Sequence, residues 1–247
     1  MSNSFTDHNL TGQSWENENI FCHNLPSQPR ADIGKVLVTG ASGYIGGRLV
    51  PELLARGYSL KVMVRAASPI YKEHWPEAEI VVADALNIES LRAALEDVDT
   101  AYYLIHSLLL GPKEFASADV QAARNFRMVA EEKKVKRIIY LGGLGDTHTQ
   151  LSTHLESRIQ VAQELKRGKV PVTILRAAII IGSGSASYEI IQNLIRKLPV
   201  ILVPRWAKTK CQPIAIRDVV KYLVGVLEMK EASGKSFDIG GNDILSY

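Results

Sequence analysis

Gly40, Gly43 and Gly46 stand at a G-x-x-G-x-x-G spacing inside Lys35–Val50, KVLVTGASGYIGGRLV. An apolar strand pattern (Val36, Leu37, Val38) runs into the first glycine, and a helical pattern follows the last. At such a junction each glycine has its own use. Gly40 turns the chain out of the strand, Gly43 lets a pyrophosphate approach the backbone, and Gly46 lets the helix pack close to the strand. Amides at the helix start lack intrahelical acceptors and face the phosphates. The context of strand, turn and helix reads as a dinucleotide site.

Arg65 follows Gly40 by 25 residues, at the end of a second strand pattern. A carboxylate there would accept from a ribose 2′-OH and repel a 2′-phosphate. A guanidinium binds a 2′-phosphate with two charge-assisted bonds, so Arg65, helped by Ser68, points to NADP over NAD. The alternative is a solvated surface arginine. Leu104, Ile105 and His106 close a fourth strand at its carboxyl end, where ligands of open α/β sheets sit. His106 is a candidate for contact near the ribose or nicotinamide, or a structural histidine. His154 and Arg158, four apart on a helix, share one face. Histidine titrates near neutrality and can exchange protons, and a neighbouring arginine charge lowers its pKa. A pair that only caps and solvates the helix is the competing reading. The run Gly182–Ser187, with Ser183, Ser185 and Ser187, precedes a helix pattern at Tyr188. One serine serves as a cap, and the others with Tyr188 are candidates for lining a substrate pocket.

The positioning elements alternate. Strand patterns at Val36–Val38, Ser59–Arg65, Glu79–Ala83, Thr100–Ile105, Arg137–Leu141, Val172–Ala177, Val200–Val203 and Ser236–Ile239 interleave with helical ones. Those helices are expected at Tyr44–Arg56, Ile88–Leu95, Phe115–Lys133, Thr153–Lys166, Tyr188–Lys197 and Arg217–Met229. Near-continuous apolar strands with crossovers of this length imply an α/β fold, a doubly wound parallel sheet covered on both faces.

Composition narrows the classes. Of 247 residues, 46% are apolar and 22% charged, ordinary values for a globular chain. No apolar run approaches the roughly 18–20 residues of a membrane span, and no secretory signal pattern opens the chain. Cys22 and Cys211 form no metal-type spacing, so no metal is expected and a reduced, cytoplasmic setting is the default. Residues 1–34 are polar, without period, and carry four acids against one arginine. They read as a disordered or loosely docked leader before a 35–247 domain, the alternative being an extra strand or arm packed on the body, since Ile20 and Phe21 are apolar. The net charge of +3 therefore rests on a more basic remainder, which suits a phosphate-rich cofactor. No Lys/Arg cluster interleaves with aromatics, so nucleic acid is not indicated.

The segments TGASGYIG (Thr39–Gly46), ADALN (Ala83–Asn87), YLIHS (Tyr103–Ser107), IIYLGGLG (Ile138–Gly145), LRAAIIIGSGSASYE (Leu175–Glu189) and QPIAIRDVV (Gln212–Val220) carry a resemblance. With them, residues 35–247 are similar to the short-chain dehydrogenase/reductase superfamily, in its extended and atypical branches. LPVILVPRW (Leu198–Trp206) with the serine run resembles a bacterial epimerase/dehydratase-like group of NAD(P)-binding proteins. The resemblance implies a Rossmann fold in which Gly40, Ser42, Gly43, Tyr44, Ile45 and Gly46 line the pyrophosphate. It implies that Asp84 meets the adenine edge, with Ala85 supplying backbone, although an Asp there can also cap the next turn. It implies substrate-side segments from about 182 to 215, with Arg205 and Trp206 covering the far side. In that group the chain usually continues past this point into a further C-terminal domain, so the sequence resembles either a truncated form or a natural short form, and part of the substrate wall is expected to be missing. Helix pairs on the sheet flank often mediate homodimers in this superfamily.

One departure bears on function. Reductases of the superfamily use Tyr-x-x-x-Lys on a helix, usually with a Ser or Thr ending the preceding strand. Here the matching helix puts His154 at the tyrosine position and Arg158 at the lysine position, and the strand end Leu141–Leu144 has no hydroxyl. The expectation is an atypical NADP-dependent oxidoreductase acting by hydride transfer on a small carbonyl or hydroxyl compound. A non-catalytic redox sensor or structural subunit remains the rival, and an epimerase or dehydratase is a third reading.

Overall fold

The computed structural model describes residues 22–106, 112–145, 152–185, 189 and 210–246. Seven parallel strands form one sheet: β1 (Val36–Val38), β2 (Leu60–Val64), β3 (Glu79–Val82), β4 (Thr100–Tyr103), β5 (Arg137–Gly143), β6 (Val172–Ala177) and β10 (Ser236–Ile239). Their spatial order is β10-β6-β5-β4-β1-β2-β3. The order reverses between β1 and β4, and ligands of such sheets bind in the crevice that this reversal opens. The short strands β7 (Ile180–Ile181) and β9 (Ile214–Ala215) pair in parallel, and β8 (Lys210–Cys211) pairs antiparallel with β11 (Leu245–Ser246).

The strands alternate between two cores. Val36, Val38, Val62, Val64, Tyr102, Ile139, Leu141, Leu175 and Ala177 face one side. Leu37, Met63, Ala101, Tyr103, Ile138, Tyr140, Val172 and Ile174 face the other. A period of two with both faces apolar is what a sheet covered on both sides requires. The first core packs under α1 (Gly46–Ala55) and α6 (Ile216–Glu228), whose Leu49, Leu53, Val220 and Leu223 are buried. The second packs under α3 (Ile88–Ala94), α4 (Pro112–Glu132) and α5 (Thr153–Lys166), through Leu91, Phe126 and Val161. Pro51 sits inside α1, where it lacks the N–H for one helix bond.

A helix that the sequence pattern does not announce, α2 (Pro69–His74), places Tyr71 stacked on Trp75 at 5.7 Å, both in the first core. Apart from Glu189, the helix and strand expected at 188–197 and 200–203 lie outside the described residues.

Within the polar leader, residues 22–34 are tied to the sheet's amino-terminal edge. Cys22 is buried, and its amide donates to Glu52 Oε2 at 3.3 Å. Arg56 donates to the carbonyls of Cys22 and Ser27, each at 3.0 Å. It also forks onto Glu228 at 2.7 and 2.8 Å, while Tyr58 donates its hydroxyl to Glu228 at 2.9 Å. Arg30 adds a bond to the Glu228 carbonyl at the end of α6. A guanidinium at a helix C-terminus satisfies carbonyls left without intrahelical donors.

Candidate functional site

The glycine turn lies where the sheet order reverses. Gly40 has φ +63°, and a Cβ there would stand 2.5 Å from the Leu104 carbonyl oxygen. A side chain would therefore be both strained and blocked by backbone. A Cβ on Gly46 would meet the Gly40 oxygen at 2.4 Å, so the helix start can sit on the turn only as glycine. Thr39, buried beneath the turn, joins β1 to β4: its hydroxyl donates to the Tyr102 carbonyl at 2.9 Å and accepts from the Leu104 amide at 3.0 Å.

The turn leaves donors open. The N-cap of α1, Ile45, lends no side-chain acceptor. The amides of Ser42, Tyr44 and Ile45 donate to no group among the described residues. Ser42 and Gly43 are exposed. An uncapped helix start with open amides and a positive dipole end is a site for an anion. A dinucleotide diphosphate therefore fits these residues.

Arg65 is exposed at the end of β2 and makes no hydrogen bond or ion pair among the described residues. Ser68 begins α2 with an extended backbone and no side-chain cap bond. Asp84 spends Oδ1 on the Leu86 amide at 2.9 Å, which is the turn-cap alternative realised, and Oδ2 has no partner among the described residues. Ala85 is buried, and Asn125 on α4 donates to its carbonyl at 3.1 Å, holding the loop.

At the other end, three groups converge. His154 Nε2 accepts from Arg158 Nε at 3.1 Å, which assigns the ring proton to Nδ1. Burial, then Arg158, lower the His154 pKa, while Asp119 works against them. His106 lies close enough that Arg158 and His154 reinforce burial in holding its pKa well below the ordinary imidazole value. Its Nδ1 is buried without a hydrogen-bond partner among the described residues, and its ring lies 6.4 Å from that of Tyr140. Tyr140 donates its hydroxyl to the Arg158 carbonyl at 3.2 Å. Leu104 and Ile105 contribute backbone and packing rather than a free polar side chain. At the end of β5, where no hydroxyl stands, a Cβ on Gly143 would meet the side-chain tip of Leu155 and Arg158 Cδ, so a larger residue there requires those side chains to shift.

The described part of the serine run packs on the glycine turn. Arg48 lies over the Tyr44 ring at 4.0 Å and donates to the carbonyls of Tyr44 and Ser183, both at 3.0 Å. Ser185 is buried, and a Cβ on Gly182 would meet the Tyr44 hydroxyl at 2.5 Å. Ser183 is exposed. Ser187, Tyr188, Arg205 and Trp206 lie outside the described residues. Sequence reasoning missed Thr39, Arg48, Asn125 and Tyr140. Thr39 stood in the quoted glycine segment, and a tyrosine among the apolar residues of β5 was a visible signal. Nothing in the spacing marks Arg48 or Asn125.

Residues 40–198 match the family described as NAD(P)H-binding. Over 120 residues the chain is 32% identical to a 3-beta-hydroxysteroid dehydrogenase of Mycolicibacterium neoaurum, covering 45% of this chain and 32% of that protein. It is 24% identical over 227 residues to subunit 9 of the mitochondrial NADH dehydrogenase [ubiquinone] 1 alpha subcomplex of Arabidopsis thaliana, covering 88% and 56%. The chain thus spans from about a third to a little over half of the length of these curated relatives. Among solved structures, a short-chain dehydrogenase/reductase superfamily protein of Agrobacterium tumefaciens with bound NAD shares the fold at a TM-score of 0.69 and 16% identity, covering 86% and 79%. No helix among the described residues is long and apolar enough to cross a membrane. The matched stretch begins at the first glycine of the turn and takes in the whole constellation at the sheet's carboxyl edge: the chain belongs to the NAD(P)H-binding family.

Proposed function

We propose that the chain forms the coenzyme-binding part of an atypical NADP-dependent oxidoreductase acting on a small carbonyl or hydroxyl compound. The observation that carries this reading is the uncapped start of α1, with the Ser42, Tyr44 and Ile45 amides open beside an exposed Gly43. These amides hold the diphosphate, Arg65 with Ser68 holds the 2′-phosphate, and Asp84 with Ala85 borders the adenine. When bound, the nicotinamide supplies or accepts the hydride.

The protein's part is to orient and to handle a proton. His154 is neutral at pH 7, because burial and Arg158 both disfavour its cation. A neutral imidazole with its proton on Nδ1 polarises a substrate oxygen by hydrogen bonding. In the oxidising direction, once Nε2 leaves Arg158, it takes a hydroxyl proton. Arg158 stays charged and relays no proton. It orients His154 and is placed to hold ribose hydroxyls. His106, buried and neutral, lines the same end.

A second reading has its own support. The Tyr-x-x-x-Lys pair is replaced by His154 and Arg158, and the relative covering 88% of the chain is named as a subunit of a larger dehydrogenase. A chain of that kind binds the dinucleotide without turning it over. The test is to titrate NADPH and NADH by calorimetry, then follow NADPH absorbance across a panel of aldehydes and ketones. Binding with turnover that His154→Ala reduces supports the enzyme. Binding with no turnover across the panel favours the non-catalytic subunit.

A further inference from the structure

Between α5 and the β5-β6-β10 side of the sheet lies a cleft of about 140 Å³. Gly142, Gly143 and Gly145 floor it, and Arg158, Lys166 and Arg176 reach its walls. None of the described residues lining it is acidic. Three cations around so small a volume create a positive potential, which low-dielectric walls focus.

The three cations are engaged differently. Lys166 donates to Ser236 Oγ at 3.0 Å. Arg176, opposite Gly142 in the strand register, grips Asp238 on β10 through Nε at 2.6 Å and Nη2 at 3.0 Å. Its Nη1 makes no bond among the described residues. Arg158 gives Nε to His154 and forms no ion pair among the described residues. Burial lowers the Arg158 pKa, with Tyr140 and Asp119 acting the other way. A part-buried guanidinium bonded to a neutral imidazole, with Asp119 acting on it only through space, lacks the directly paired counter-charge that buried ions ordinarily have.

We propose that this cleft binds an oxyanion group of the substrate, carboxylate or phosphate, between Arg158 and Arg176. The inference rests on the reading of His154 as the reacting end, and it gives the carbonyl or hydroxyl compound an anionic tail. Gly142 and Gly143, which line the cleft together with both arginines, put no side chain into it. A guanidinium fork takes an oxyanion through two parallel charge-assisted bonds. Lys166 stands two turns from Arg158, roughly 12 Å along α5. It raises the local potential without touching the same oxyanion.

The test uses the full chain loaded with NADPH, at fixed ionic strength, with succinate and inorganic phosphate as separate calorimetric probes. Saturable binding of one or both is expected, and the tighter probe identifies the tail. Arg158→Gln and Arg176→Gln should each weaken it about tenfold or more, and Lys166→Gln by less than about threefold. Arg176→Gln should leave NADPH affinity unchanged. Its ion pair with Asp238 is about half exposed, so the variant folds and carries the test even if Arg158→Gln does not. Absence of saturable binding, or equal probe affinity in Arg176→Gln and the parent, overturns the proposal. If a probe binds the free chain while NADPH does not, the dinucleotide reading fails and the oxyanion site stands. If NADPH binds and neither probe does, the reverse holds.

Discussion

The two edges of the sheet are built on opposite terms. At the amino-terminal edge polar groups answer one another. Glu228, with a fully buried side chain, accepts from Arg56 and Tyr58, and Arg137 is spent on Thr173 and on the carbonyls of Leu227 and Met229. Cys22 is buried there, with its thiol pushed up to about 12 by burial and then by Glu52, so it is an inert packing group. At the carboxyl edge polar groups stand open among the described residues: the α1 amides, exposed Arg65, the buried His106 Nδ1, and Arg158 without an ion-pair partner. Among the described residues, one edge meets most of its polar groups from within the chain, and the other leaves donors and a buried imidazole nitrogen without partners. The difference teaches where stability and function reside, and each edge can be broken separately.

The largest effect is expected at the closed edge. Glu228→Gln leaves the Arg56 guanidinium without its counter-charge and should cost about 3–5 kcal/mol in denaturant unfolding. Coenzyme affinity of the folded protein should not change. Burial raises the Glu228 pKa, but the bonds from Arg56 and Tyr58 outweigh it and hold the carboxyl below its usual range. Its stabilisation is therefore present above the ordinary carboxylate range and lost as pH falls through it.

The open edge should respond in function before stability. His154→Ala should lower kcat about 100-fold or more, with NADPH affinity within twofold of the parent and little change in unfolding. An unaltered rate would remove His154 from proton transfer. Arg65→Asp should shift the NADP-over-NAD preference by about 10- to 100-fold in the ratio of dissociation constants. An unchanged ratio would make Arg65 a surface residue.

The smallest effect sharpens the contrast through pH. His106 has a folded pKa well below 6.5, so the unfolded chain takes the proton first as pH falls. Stability should decline below about pH 6.5, by at most about 1.4 kcal/mol per pH unit for this one group. His154 on α5 contributes with the same sign, while Arg158 and Tyr140, the other groups facing His106, stay charged and neutral through that window. His106→Asn should flatten the slope between pH 7 and 5, read from urea midpoints.

Much of the open edge was legible because its signals are local. The strand, glycine turn and helix over Val36–Ala55 follow from apolar pattern and glycine spacing alone, and His154 with Arg158 from the resemblance to a Tyr-x-x-x-Lys helix, their four-residue spacing putting both on one face. The closed edge was not legible. Its ties run from Arg56 and Arg30 to backbone carbonyls and to Glu228, far along the chain, and the composition of residues 22–34 reads only as polar. Strands of two residues, such as Ile180–Ile181 and Ile214–Ala215, carry no period to read. The six-residue α2 is defined by its packing of Tyr71 on Trp75 rather than by an amphipathic stripe. Asp84 allowed two readings because a turn cap and a ligand contact use the same carboxylate.

The central claim is that the amides at the start of α1 grip a dinucleotide diphosphate. The direct measurement is calorimetric titration of the full chain with NADPH and with NADH, repeated on Gly46→Val. The account predicts saturable binding of one dinucleotide per chain, tighter for NADPH, and its loss in the variant, whose side chain would meet the Gly40 and Ala41 backbone. Absence of saturable binding of either coenzyme to the folded parent, or undiminished binding by folded Gly46→Val, would contradict it.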